Sequence, residues 1–146
     1  MIPLCLNEGV GLVPWSPLAR GLLARSRPAS AQIADAGTAR AGNDKYTEQL
    51  YDSPEDWNVV DAVEKVAKAR GVSMAEVALA WLMSRPGVAA PIVGATKAEH
   101  LDTALKSLSI NLTDDECVSL EAPYRPHGVR GYAFPEPARA GVPKRG

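Results

Sequence analysis

Two short apolar runs decide the fold: Val10-Gly-Leu-Val-Pro-Trp15 and Val88-Ala-Ala-Pro-Ile-Val93. Each run is bounded by turn residues and is too short for a helix, so each predicts a strand buried on both faces. The segment between them contains two helical patterns, which is the kind of crossover that parallel strands require. The sequence therefore predicts an α/β fold with parallel strands.

Four helix starts share one signature, in which a hydroxyl residue is followed three residues later by an acid. The hydroxyl satisfies a free backbone N–H group, and the acid complements the positive end of the helix. A further short helix is expected at residues 1–7, closed by Gly9. The four boxes are Ser53-Pro-Glu-Asp56, Ser73-Met-Ala-Glu76, Thr96-Lys-Ala-Glu99 and Thr113-Asp-Asp-Glu116.

Apolar residues behind the first three boxes recur at helical spacing and predict which helix faces are buried. The first helix is expected to end at Gly71 and the second at Pro86. The three stripes are Val59, Val60, Val63, Val66 and Ala67, then Met74, Val77, Ala78, Trp81 and Leu82, then Leu101, Ala104, Leu105 and Leu108.

Composition narrows the class of protein. The chain has 146 residues, 46% of them hydrophobic, and a formal net charge of -1. The charge balance argues against a nucleic-acid partner, and no apolar run is long enough to cross a membrane. From the start of this sequence we expect no secretory signal, and Cys5 and Cys117 lack metal-ligand spacing. We therefore expect a cytoplasmic protein with reduced thiols and no metal.

Two segments lack any hydrophobic period. Residues 26–53 are polar and patternless, which indicates a functional or mobile loop. Residues 124–146 are rich in Pro and Gly and carry mostly basic charge, so we expect a flexible tail after a folded unit at 1–123. The tail's positive charge is either an electrostatic handle or merely solubilising.

In parallel α/β folds, ligands bind beyond the carboxyl ends of the strands, which here are the loops at 15–21 and 94–100. In the second loop, Gly94, Thr96 and Lys97 combine open backbone, a hydroxyl, a positive charge and a helix N-terminus, which suits a phosphate. A well-capped helix with a solvated lysine is the alternative. In the first loop, Trp15 fits either stacking on a flat ring or a place in the core.

Several of these segments together resemble the aldo-keto reductases. The resemblance lies in Gly11-Leu-Val-Pro-Trp-Ser-Pro-Leu-Ala-Arg-Gly-Leu22, Pro91-Ile-Val-Gly-Ala-Thr-Lys-Ala-Glu-His-Leu101, the helix at 74–85 and Pro123-Tyr-Arg-Pro-His127. It runs in order over residues 1–128. It implies a (β/α)₈ TIM barrel that reduces aldehydes and ketones with NADPH. This chain would then be its C-terminal portion, about the last two βα units plus the C-terminal helix, and incomplete as a barrel.

The resemblance also implies roles for individual residues. Trp15 would stack on the nicotinamide, while Gly94, Thr96 and Lys97 would hold the 2′-phosphate, which favours NADP(H) over NAD. His100 stands where the family usually has Arg or Gln beside that phosphate. Thr103 and Ala104 depart from the Glu and Asn common there, so the resemblance does not assign adenine recognition. The residues that would follow the pyrophosphate and its ribose are Ser16, Pro17, Leu18, Ala19 and Arg20.

The family's catalytic Asp, Tyr, Lys and His come from earlier strands, and nothing here matches them. We therefore expect no catalytic residue in this chain, and a carbonyl substrate only in a complete barrel. The tyrosines present are Tyr46, Tyr51, Tyr124 and Tyr132.

Three other roles remain open. A helix-turn-helix at 66–77 would bind DNA, but Glu76 is the only charge on its second helix, at 74–83. The chain also fits a non-catalytic module that pairs its strands with another chain. Because two strands cannot close a barrel, self-association through the open strand edges is a further expectation.

Overall fold

A computed structural model describes residues 1–30, 50–51 and 53–128. Elements are numbered in chain order, and a 3₁₀ segment, Ala19–Ala24, lies between the first two α-helices. The α-helices are α1 (Ile2–Asn7), α2 (Pro54–Arg70), α3 (Met74–Met83), α4 (Ala98–Ser107) and α5 (Asp114–Glu121).

The two apolar runs pair in parallel, as predicted, through two isolated bridges, Leu12 with Val88 and Trp15 with Ile92. We call residues 12–15 and 88–92 the strand pair. Its hydrogen bonds include Ala89 N–H to the Leu12 carbonyl at 2.8 Å and Ile92 N–H to the Pro14 carbonyl at 2.8 Å. The prediction of strands buried on both faces is wrong: Val13, Trp15 and Ile92 are 56%, 59% and 55% exposed. The pairing is also limited to isolated bridges, because Pro14 and Pro91 have no N–H to donate and interrupt the ladder.

The core is a layer of helices in which α2 packs on α3 and α5, with Leu22 of the 3₁₀ segment added. It confirms most of the first two predicted stripes, although Val59, Trp81 and Leu82 are only half-buried. Burial at every helical turn is what makes these amphipathic helices stable. The buried apolar residues are Leu22, Trp57, Val60, Val63, Val66, Ala67, Met74, Val77, Ala78, Leu79, Ala80 and Leu120.

Three of the four predicted capping boxes are present: those of Ser53 with Asp56, Ser73 with Glu76, and Thr113 with Glu116. α2 ends as predicted at Gly71, whose φ of 67° is left-handed. Gly9, expected to close α1, also has a positive φ, of 66°.

The fourth predicted box is wrong. The N-cap of α4 is Lys97, one residue later than the predicted Thr96, because Lys97 has the extended backbone of an N-cap, and no side chain caps the helix. Thr96 instead faces His100, with its backbone N and its Oγ1 each 3.4 Å from Nδ1.

The predicted burial of the α4 stripe is also wrong. Leu101, Leu105 and Leu108 are 53%, 55% and 67% exposed, whereas Ser107 is buried and Ala104 half-buried. α4 packs against α3 with the side that carries Ala104 and Ser107. Its leucines therefore have the spacing of a buried face, but in the described part of the chain more than half of each side chain is exposed.

Part of the patternless loop is tied to α2. The Ser26 hydroxyl donates to Glu64 at 2.7 Å, and Arg27 pairs with Asp61 at 3.4 Å. The rest of the predicted loop (31–49 and 52) and most of the predicted tail (129–146) lie outside the described residues. No helix in the described part of the chain is long and apolar enough to cross a membrane.

A bidentate ion pair fixes α5 on the core. The Arg70 guanidinium donates to both carboxylate oxygens of Glu116 at 2.5 Å and to the Asn111 carbonyl at 2.9 Å. These bonds from Arg70, together with the Thr113 backbone N–H, lower the pKa of Glu116 from its ordinary value of 4.5 to about 2.

The pair predicts how stability depends on pH. Glu116→Gln keeps a capping side chain but loses the ion pair, so we expect a Tm lower by a few degrees at neutral pH. Because the folded pKa is depressed, this difference should persist above about pH 4.5 and vanish as the pH falls toward about 2. Thermal melts across this range measure it.

The matched control is Glu76→Gln, since Glu76 forms the same capping box and, among the described residues, no arginine pairs with it. Equal Tm losses for the two variants at neutral pH would show that the Arg70 pair contributes nothing beyond the cap.

Just before the strand pair, the backbone of residue 11 lies so close to Ala89 that only glycine fits at position 11. A Cβ built on Gly11 would lie 2.9 Å from the Ala89 Cβ, an atom that cannot rotate away. We expect Gly11→Ala to destabilise the fold by roughly 1–3 kcal/mol in chemical denaturation, and Ala89→Gly to restore stability in the double variant. Gly94→Ala is the control, because a Cβ there meets nothing within 4 Å. A Gly11→Ala variant as stable as the parent would refute this packing.

Candidate functional site

Two loops leave the strand pair at the same edge. Trp15 pairs with Ile92 in the last bridge, so the loop at 16–21 and the loop at 93–100 both begin there. Parallel pairing is the cause, because it aligns the carboxyl ends of both segments. The two loops predicted to bind a ligand therefore lie on one side of the molecule.

The first loop has a strained backbone. Ser16, Ala19 and Arg20 have left-handed φ angles of 53°, 48° and 57°, and Gly21 follows at 95°. Each non-glycine residue in this region costs roughly 1–3 kcal/mol, so the surrounding structure must hold the shape. It does so with hydrogen bonds from Ala19 N–H to the Ser16 carbonyl and from Gly21 N–H to the Leu18 carbonyl, both 2.9 Å.

Burial also fixes this loop. Leu22, which follows the left-handed residues directly, is 2% exposed in the helical core. Three residues further along, partial burial of Arg25 lowers its pKa through desolvation. The loop is thus anchored at its end and open at its start, where a ligand would approach.

Trp15 stands at that open start. It is 59% exposed, so a place in the core is excluded for this tryptophan in the structure. Its partner Ile92 is 55% exposed, which leaves apolar surface beside the indole. An exposed indole at a strand end is available to stack on a flat ring.

The second loop is open throughout. Gly94, Thr96, Lys97 and His100 are all exposed. No side-chain hydrogen bond caps α4, whose start carries the positive end of the helix dipole, and the His100 N–H donates to the Lys97 carbonyl at 3.1 Å. Gly94 has open space around it, and nothing in the local packing requires a glycine there. An anion would find positive charge at this position.

The two loops thus offer different contacts on one edge, an exposed ring in the first and an anion-attracting helix end in the second. This combination suits an elongated ligand with a flat ring at one end and a phosphate at the other. Of the sequence-predicted residues, Trp15 ends the first strand segment, Ser16 to Arg20 lie in the first loop, and Gly94, Thr96, Lys97 and His100 lie in the second.

Beside the first loop lies an apolar groove of about 620 Å³ that the sequence did not indicate. It is lined by Pro17 and Leu23 of the loop region and by residues of α2, α3 and α5. At its rim, Glu121 accepts from the Trp81 indole at 2.9 Å and from Arg85 at 2.6 Å. Arg85 follows Trp81 by four residues, just beyond the Ser84 C-cap of α3, and this spacing was the available signal for their contact.

Only two of the four tyrosines fall within the described residues. Tyr51 packs against the helical core, and Tyr124 lines the groove. The structure therefore places neither in an assembled set of catalytic groups, and Tyr46 and Tyr132 lie outside the described residues.

The chain is similar to known reductases over most of its length. It is 41% identical over 132 residues to versiconal hemiacetal acetate reductase of Aspergillus parasiticus, covering 88% of this chain and 36% of that protein. It is 36% identical over 133 residues to the aldo-keto reductase AMT2 of Alternaria alternata, covering 91% of this chain and 34% of that protein.

The chain is also similar to a solved structure. The thermostable aldo-keto reductase Tm1743, in complex with the inhibitor epalrestat, matches with a TM-score of 0.55 and 28% identity, over 84% of this chain and 32% of that one. The chain thus spans about a third of the length of the relatives it matches. The model of the Aldo/keto reductase family matches residues 1–124. The chain belongs to the aldo/keto reductase family, whose fold is the (β/α)₈ barrel.

Proposed function

We propose that this chain is the cofactor-binding C-terminal part of an aldo-keto reductase that reduces aldehydes and ketones with NADPH. The observation that carries the proposal is the position of the two loops on one edge, with Trp15 exposed and the N-terminus of α4 open. Family membership supports oxidoreductase chemistry, and the loop contacts support a dinucleotide with an additional phosphate.

Each residue of the site has a proposed task. Trp15 stacks on the nicotinamide, and Ser16, Pro17, Leu18, Ala19 and Arg20 follow the pyrophosphate and its ribose. Lys97 holds the 2′-phosphate as a point charge, with Thr96 and the backbone of Gly94 beside it. His100, whose Nδ1 faces Thr96, completes the set.

The residues of this chain bind and orient, and they transfer no proton to the substrate. Bound NADPH supplies the hydride that reduces the carbonyl carbon. The strained first loop keeps its shape without the ligand, which lowers the ordering cost of binding. The general acid and the rest of the carbonyl pocket are proposed to come from residues outside this sequence.

The proposal includes a cytoplasmic location, where reduced nicotinamide cofactors are used. Cys5 and Cys117 are both free, as expected of thiols in a reducing compartment.

Fluorescence titration tests the site directly. NADPH should quench the exposed Trp15 far more strongly than Trp57, which is 4% exposed, or the half-buried Trp81. The quenching should therefore be largely lost in Trp15→Phe. Quenching of equal depth in the parent and in Trp15→Phe would contradict the stacking role.

Lys97→Ala is expected to weaken NADPH binding about ten-fold and NADH binding little, because only NADPH carries the 2′-phosphate. Titrations with both cofactors measure the ratio. Lys65→Ala is the control, since Lys65 is exposed on α2. An equal loss of affinity for NADPH and NADH would show that Lys97 does not hold the 2′-phosphate.

The purified chain alone is expected to oxidise no NADPH in the presence of an aldehyde such as 4-nitrobenzaldehyde, because the general acid is missing. The loss of NADPH absorbance is the readout. Turnover above a protein-free blank that disappears in Tyr124→Phe would show that the chain carries its own acid.

A further inference from the structure

The side chain three residues after the N-cap differs in kind between α4 and the other long helices. In α2, α3 and α5 this position is held by Asp56, Glu76 and Glu116, and each carboxylate accepts from the backbone N–H of its N-cap residue. In α4 the N-cap is Lys97, so the same position is held by His100. An ionised carboxylate only accepts hydrogen bonds, whereas an imidazole accepts only while it is neutral.

His100 makes a similar contact with the backbone, one residue further back. The Thr96 N–H donates to Nδ1 of His100, and the Thr96 Oγ1 lies at the same distance of 3.4 Å from that nitrogen. Because a backbone N–H can only donate, Nδ1 is the acceptor, and the proton of the neutral ring is on Nε2. The ring is exposed, so it can gain a proton without any unfolding.

A proton on this ring changes the second loop in two ways. Both ring nitrogens then carry a proton, so Nδ1 can no longer accept from Thr96, and the Thr96 N–H becomes available to another acceptor. The ring also gains a positive charge. A phosphate at this loop would therefore gain a cationic donor and a backbone donor together.

The charges that share a face with His100 on its own helix are positive. Residues three and four positions apart lie on one face of a helix, which places Lys97 beside the ring. Glu99 and Asp102 are one and two positions away and do not share that face. In the part of the chain that the structure describes, no carboxylate forms an ion pair with His100.

The helix packed against α4 adds no charge near this ring. Glu76 is the one charged residue of α3, and its charge interaction with α4 is with Lys106, six residues beyond His100. A protonated His100 therefore adds to the positive charge of Lys97 at the start of α4, where an anion is favoured.

We propose that His100 makes the preference of this site for NADP over NAD depend on pH, because the protonated ring binds the 2′-phosphate and the neutral ring does not. The inference rests on the proposed function, which puts that phosphate at Thr96 and Lys97. Imidazole is the side chain that changes charge between about pH 5 and 8. Since the proton and the phosphate favour each other, NADP should take up a proton on binding that NAD does not.

A purely structural role for His100 predicts a different result. If its bond to Thr96 only held the loop in shape, protonation would change the affinity for NADP and for NAD alike. The ratio of the two dissociation constants separates the two cases, because contacts that both cofactors make cancel in it.

Isothermal titration calorimetry with NADP⁺ and NAD⁺, from about pH 8 to about pH 5.5, measures this ratio. The oxidised cofactors are used because reduced nicotinamide decomposes in acid. The 2′-phosphate itself gains a proton at about pH 6, which opposes the effect of His100. In His100→Gln only this opposing effect is left. We expect the fall in pH to favour NADP⁺ about ten-fold more in the parent chain than in His100→Gln.

His127→Gln is the matched control, since it removes the other histidine of the chain. The Nδ1 of His127 contacts the Gly128 carbonyl at 2.8 Å, and His127 lies outside both loops. This variant should keep the pH dependence of the parent.

Proton uptake is the second readout. Titrations at about pH 7 in two buffers of different ionisation enthalpy give the number of protons bound with each cofactor. With NADP⁺ the parent and His127→Gln should take up a larger fraction of a proton than His100→Gln. With NAD⁺ the three proteins should give the same value.

The outcomes separate this inference from the proposed function. Equal pH dependence of the ratio in the parent and in His100→Gln would overturn the role of His100 and leave the cofactor site in place. Nitrogen-15 NMR that finds the proton of the neutral His100 ring on Nδ1 would refute the bond from Thr96, and the switch with it. Binding of neither cofactor at any pH would refute the proposed function and this inference together.

Discussion

The packing of α2 on α3 is the interaction on which the other features depend. Val60 and Val63 of α2 and Val77 of α3 are buried in one core, and these two helices belong to the connection between the two strand segments. A connection of this kind lets the second segment return parallel to the first, although Pro14 and Pro91 limit the pair to two bridges. Parallel pairing in turn places both loops at one edge. The site is therefore built by helices that do not touch the ligand.

The two loops are prepared for binding in different ways. In the first, left-handed residues from Ala19 to Gly21 are held by turn hydrogen bonds and by the buried Leu22. In the second, the start of α4 is left without a side-chain cap, and Lys97 is exposed. A rigid turn and an uncapped helix end each carry a cost in stability, and a bound dinucleotide would offset both. This supports the proposal that both loops serve one ligand.

Most of the fold could be predicted from local chemistry. Capping boxes located α2, α3 and α5, and the two apolar runs indicated parallel pairing. The start of α4 could not be predicted, because Thr96 and Glu99 fit a box as well as the true ones do, and only the backbone at Lys97 decides. The left-handed backbone angles of Ser16 and Ala19 could not be predicted either, because neither residue type favours this conformation. The exposure of Leu105 could not be predicted either. A sequence pattern indicates which side chains favour burial, but a side chain is buried only where another element packs against it.

The central claim is that a self-contained helical core supports an open strand pair. Hydrogen exchange of the isolated chain, followed by mass spectrometry, tests it most directly, because protection reports local opening free energies. We expect slow exchange in α2 and α3 and fast exchange in residues 10–15 and 88–93. Equal protection of the helices and the strand segments in the isolated chain would contradict the claim.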